Sequence, residues 1–111
     1  MQIVISDELG PTAKVGLVGK LDIAGAAVIA LPLAALASEK TALIVDMSGV
    51  TFIASVGIHQ LISASKTLAR RGGKLVLVNP NEMVREVLVI CGVLDFMPLV
   101  STESEAYALL G

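Results

Sequence analysis

From Ser55 onward the side chains Ile58, Leu61, Ile62, Ser65, Leu68 and Ala69 recur at intervals of three and four, while Gln60, Ser63, Lys66, Thr67, Arg70 and Arg71 fall between them. An α-helix turns that spacing into one apolar face, and Gly72 and Gly73 end it. On either side stand short aliphatic runs: Leu43 to Val45, which suits a strand buried on both faces, and Lys74 to Val78, another strand. Two such strands joined by a helix are expected to pair in parallel, because the helix carries the chain back to the end of the sheet from which it started.

The same alternation extends outward. Ile3 to Ser6 and Ala13 to Val18 read as a β-hairpin turning around Gly10 and Pro11, with Gly19 closing the second strand. Asp22 can cap an alanine-rich first helix that runs to Ala37, kinked or restarted at Pro32. The strand at Leu43 ends in the polar Asp46 and Ser48. Asn79, Pro80 and Glu82 read as the start of a third helix, with Pro80 at its first position and Gly92 capping its far end after Cys91. Leu99 and Val100 suggest a short last strand, and Thr102 with Glu105 form a capping box before a terminal helix. The expected architecture is a single α/β domain over residues 1–111, a mixed sheet with an N-terminal hairpin and about four flanking helices.

Composition narrows the function classes. A net charge of −2 and three aromatic residues, Phe52, Phe96 and Tyr107, provide neither the field nor the stacking surface for nucleic acid. Cys91 and His59, one of each, cannot build a tetrahedral metal site or an internal disulfide, so neither metal nor cofactor is expected and a reducing cytoplasm fits. The start, MQIVISDELG, has no basic region followed by an apolar one, and the uncharged run Ile23 to Ala37 is 15 residues long and holds Gly25 and Pro32, so no direct membrane insertion is expected. Within that run AAVIALPLAALA is apolar almost all round. Either that helix is fully buried or padded with alanine, or one face is a homodimer or partner interface.

The informative stretch is DMSGVTFIASVGI, from Asp46 to Ile58, which passes from a buried strand through a polar turn into the amphipathic helix. Ser55 is expected at the N-cap or in the first turn, near backbone N–H groups without helical partners and near the positive end of the helix dipole. There it could simply cap the helix, or carry a phosphate. His59 lies on the same helix face four residues on, but a serine hydrolase is not supported, since Ile53 stands where a nucleophile elbow needs glycine. Asp22 and Asp46 also suit strand-end turns in which the carboxylate binds local backbone. Gly72 and Gly73 follow a helix and precede a strand, the reverse of a phosphate-binding loop.

Four segments, GKLDIAGA from Gly19, DMSGVTFIASVGI from Asp46, RRGGKLVLVNP from Arg70 and VREVLVICGV from Val84, together make the chain resemble the STAS family of anti-sigma factor antagonists. The resemblance implies a non-enzymatic partner-switch protein that binds an anti-sigma factor or a serine protein kinase. Ser55 would be phosphorylated by the kinase and reset by a serine phosphatase. It implies a recognition surface around Ser55 and Asp22, and the start of the helix, expected to display His59 and Gln60 to solvent, extends that partner-binding surface to Val56, His59 and Gln60. The usual family order of Asp, Ser, then Ser or Thr before glycine is here Ala54, Ser55, Val56 and Gly57, which removes an acidic cap and a polar contact. The alternative is a STAS scaffold, or a cytosolic subunit of a membrane transport assembly, with no phosphorylation cycle.

Overall fold

The computed structural model describes residues 1–6 and 10–110. Five strands, β1 (Gln2–Ser6), β2 (Thr12–Leu21), β3 (Ala42–Ile53), β4 (Lys74–Val78) and β5 (Leu99–Val100), lie in that spatial order in one sheet. β1 pairs antiparallel with β2, and the remaining pairs are parallel. The helices α1 (Ile23–Glu39), α2 (Ser55–Arg70) and α3 (Glu82–Ile90) make the crossovers, a 3₁₀ turn spans Val93–Asp95, and α4 (Glu103–Leu110) follows β5. This is the expected mixed α/β sheet. The hairpin pairs as anticipated, although residues 7–9 of its connection lie outside the described residues.

Period-two alternation sends Ala13, Val15 and Leu17 of β2, Leu43, Val45 and Met47 of β3, and Leu75 and Leu77 of β4 to one face. There they meet Ile29, Leu33, Leu61, Leu68, Val84 and Leu88 of the three crossover helices, all almost completely excluded from water. The opposite residues Ile44, Val76 and Val78 form a smaller cluster under Ala106 of α4. Residues 42–45 of β3 and 75–78 of β4 are therefore buried on both sides, which is why those stretches read as continuous apolar runs.

Three expectations are corrected. β3 does not stop at Asp46 and Ser48 but continues to Ile53, irregularly registered on β2, with Asp46 Oδ1 accepting from the Ser48 N–H at 2.9 Å inside the strand. α1 passes through Pro32 without a break, burying Ala26, Ile29, Leu33, Leu36 and Ala37 while Ile23 and Leu31 stay about four-fifths exposed. Of the readings of the apolar run, complete burial is thus not what the fold provides. α3 begins at Glu82 rather than Pro80, because the Asn81 side chain takes the cap and accepts from the Val84 N–H at 2.8 Å. At α4 the threonine half of the expected capping box forms, Thr102 Oγ1 accepting from the Glu105 N–H at 3.2 Å, while Glu105 Oε1 accepts from the Thr102 hydroxyl at 3.2 Å.

Candidate functional site

Leu21 at the end of β2 stands opposite Ile53 at the end of β3, and each strand runs directly into a helix. The N-termini of α1 and α2 are thereby brought to the same end of the sheet. Asp22 caps α1: Oδ1 accepts from the Gly25 N–H at 2.9 Å, and its carbonyl accepts from the Ala26 N–H at 2.8 Å. Ala54 links the two strand ends, donating its N–H to the Leu21 carbonyl at 2.9 Å while its own carbonyl accepts the first bonds of α2 from Gly57 and Ile58.

Two glycines set this junction. A Cβ on Gly25 would fall 2.1 Å from the Lys20 carbonyl oxygen, and one on Gly57 would fall 2.4 Å from Leu21 Cγ. Neither position has room for a side chain, so both helix starts sit directly on the end of β2.

Ser55 is the first residue of α2, in its first turn; the cap itself is Ala54, extended at φ −104° and ψ 167° and without a capping side chain. The Ser55 residue is exposed, and among the described residues its hydroxyl makes no hydrogen bond. A free hydroxyl at the positive end of a 16-residue helix is accessible to a second protein, and the dipole there favours added negative charge. His59 is exposed one turn further along, Asp22 is half-buried by its capping role, and Val56 is half-buried against the core. Gln60 is not displayed to solvent as the helical spacing implied. It turns toward α1, where Nε2 donates to the Ala26 carbonyl at 2.6 Å and Oε1 is buried without a partner among the described residues.

The expected residues thus divide. Ser55, His59 and Asp22 share one end of the molecule with Val56 beneath them, whereas Gln60 braces α2 against α1. Two residues that sequence reasoning did not single out join the exposed end, Ile23 directly after the α1 cap and Phe52, which is 46% exposed three residues before Ser55. An apolar residue immediately after a helix cap was the available signal for Ile23. Among the described residues no group of histidine, cysteine and carboxylate side chains could hold a metal, and no helix is long and apolar enough to cross a membrane. A hollow of about 540 Å³ lies elsewhere, bounded by Pro80, Glu82, Arg85, Glu86, Val89 and Ile90. That hollow is not lined by Ser55, Asp22 or His59.

Comparison with known proteins agrees with this fold. The STAS domain family model matches residues 5–106. The chain superposes on an anti-sigma factor antagonist from Mycobacterium paratuberculosis with a TM-score of 0.87 at 23% identity, covering 98% of this chain and 92% of that one. It superposes on the anti-sigma factor antagonist SpoIIAA in its unphosphorylated form with a TM-score of 0.82 at 22% identity, covering 96% and 93%. The phosphorylated form of SpoIIAA, from Bacillus, gives a TM-score of 0.76 at 20% identity over 99% and 100%. Among curated proteins, none matches the sequence.

Proposed function

Because the chain belongs to the STAS domain family, we propose that it is a non-enzymatic partner-switch regulator, anti-sigma factor antagonist-like, controlled by phosphorylation at Ser55. The observation that carries this reading is the free, exposed Ser55 hydroxyl at the uncapped N-terminus of α2, beside Asp22 and His59. The likeness to SpoIIAA, of which unphosphorylated and phosphorylated forms are both known, supports it.

Unphosphorylated, the protein would bind an anti-sigma factor or serine protein kinase through the end that carries Ser55. The Ser55 Oγ would attack the γ-phosphorus of ATP held with Mg²⁺ by the kinase, losing its proton to the kinase and releasing ADP. A serine phosphatase would reverse the step by hydrolysis. The protein itself contributes a substrate hydroxyl and needs no cofactor. A phosphate of nearly two negative charges is tolerated by the helix N-terminus, but buried in an interface it opposes docking, so the modification changes recognition and leaves the fold intact.

One feature favours a second reading, a STAS scaffold or cytosolic subunit of a membrane transport assembly. The outer face of α1 exposes Ile23, Val28 and Leu31 and carries no charge between Ile23 and Ser38, as a constitutive partner or homodimer interface would.

Incubation with a genomically adjacent serine kinase, ATP and Mg²⁺, followed by mass spectrometric mapping, separates the two. The switch requires one phosphate on Ser55 and none in Ser55→Ala. Calorimetric titration against the kinase or anti-sigma factor should show the phosphorylated protein and Ser55→Asp binding about 5- to 150-fold more weakly than the parent, a loss of roughly 1–3 kcal/mol. Equal affinities would remove the switch and leave the scaffold.

A further inference from the structure

The opposite end of α2 has a different character. Residues 66 to 74 hold Lys66, Arg70, Arg71 and Lys74 and no acidic residue. With these four removed from the chain's net −2, the remainder stands at −6, so the segment is a local reversal of sign and not part of a generally basic surface. All four are exposed, and among the described residues the one ion pair is Lys14 with Glu103, which involves none of them.

Helix termination explains half of this cluster. Arg71 Nη1 donates to the Ala37 and Lys40 carbonyls at 2.9 and 2.8 Å, and Arg70 Nε donates to the Lys66 carbonyl at 3.3 Å, as suits cations at the negative end of a helix dipole. Lys66 and Lys74 have no such task. Lys66 Nζ instead lies 5.2 Å above the centre of the Phe96 ring, and Ser65 Oγ ties the Phe96 carbonyl to α2 at 2.9 Å. Phe96 is 45% exposed, and Leu94, two residues earlier, is 50% exposed.

We propose that this basic corner, with the Phe96 ring under Lys66 and the exposed Leu94 two residues before Phe96 in the chain, is a peripheral docking site for an anionic lipid surface. Cations without a carboxylate partner attract anionic headgroups, and exposed aromatic and aliphatic side chains can settle at the boundary between headgroups and acyl chains. The apolar pair favours a bilayer over an acidic protein segment, which would need only the charges. Along α2, Lys66 and Arg70 stand about 16 and 22 Å from Ser55, well toward the far side of a molecule that measures 29 × 25 × 22 Å. A protein docked by this end keeps the Ser55 end turned away from the bilayer and open to partners.

The test is flotation of the full chain with vesicles of phosphatidylcholine alone or containing about a third phosphatidylserine, at low salt. The parent should float with the phosphatidylserine vesicles only. Lys66→Gln, Arg70→Gln and Lys74→Gln combined should weaken that partitioning on the order of 100-fold, at roughly fivefold per cation. Leu94→Ser alone should weaken it less, and Ser55→Ala should leave it unchanged. These are surface positions, so circular dichroism should show every variant folded. Absence of flotation at low salt, or equal flotation of the triple variant, overturns the proposal. Capture by a polyglutamate peptide without flotation also overturns it, in favour of an acidic protein partner.

Discussion

Gly57 in the first turn of α2 packs against Leu21 at the end of β2 so closely that an added Cβ would lie 2.4 Å from Leu21 Cγ and 2.8 Å from Cδ2. Gly57→Ala must therefore move either Leu21, which is completely buried, or the start of α2. Overpacking of this kind costs about 1–3 kcal/mol. Urea unfolding should show that loss with an unchanged slope, and partner binding should fall as well, because Ser55 and His59 ride on the displaced turn. A variant as stable as the parent would show that the contact relaxes freely.

Gln60 bridges α2 to α1 through Ala26, yet its Oε1 is buried with no partner among the described residues. A buried acceptor without a partner costs about 1–3 kcal/mol, which offsets the gain from the Nε2 bond. Gln60→Leu removes both and fills the same space, so its melting temperature should match or exceed the parent's. Gln60→Glu sets a carboxylate against the Ala26 carbonyl and should be the least stable of the three. Thermal unfolding followed by circular dichroism ranks them; a Leu variant below the Glu variant would show that the bridge is needed.

How far the sequence carried follows from these contacts. The parallel pairing of β3 and β4 around α2 was legible because local period alone separates a helix with one apolar face from a strand buried on two. The continuation of β3 to Ile53 was not. Its irregular register on β2 buries Met47, Val50 and Ile53 at intervals of three, which period-two reading does not recognise as a strand. Sequence left Ser55 at the N-cap or in the first turn; the Ala54 carbonyl, accepting from Gly57 and Ile58, makes Ala54 the cap and leaves Ser55 in the first turn. Gln60 reads as a surface residue until α1 is laid beside it, which only tertiary structure can do.

Lys14 of β2 donates to Glu103 Oε2 of α4 at 2.7 Å, with the two side chains 30% and 44% exposed. The hydrogen bond to Glu103 raises the Lys14 ammonium above its ordinary 10.5, burial opposes the rise, and the charges of Glu103 and Asp46 add to it. A group raised on folding contributes stability that is complete below its unfolded value and lost as pH climbs through the folded one. Lys14→Met should therefore be less stable than the parent at pH 8, by at most about 1 kcal/mol for a pair this open to water. The difference should shrink above pH 11. Urea midpoints of both proteins at the two pH values check this, and a gap that widens with alkali would reverse the sign.

At the N-terminus of α2 the cap and the candidate phosphorylation site are adjacent but separate. Ala54 holds the extended cap conformation and has no side-chain oxygen to offer, while Ser55 occupies the first helical position. Ser55→Ala therefore removes no cap and should cost no more than about 0.5 kcal/mol, as at an ordinary exposed position. Ser55→Asp adds a negative charge at the positive end of the dipole and should be neutral or stabilising by about 0.3–1 kcal/mol. Ala54→Asp introduces an oxygen that can accept from the N–H two or three residues on and should stabilise by about 1 kcal/mol. It also restores the acidic residue usual in the family, so phosphorylation at Ser55 by a cognate kinase should become faster. Urea unfolding measures the three stabilities, and initial rates of phosphate incorporation compare Ala54→Asp with the parent. A large loss in Ser55→Ala would return the capping role to Ser55, and an unstabilised Ala54→Asp would mean that the first turn of α2 is held open by contacts other than its missing cap.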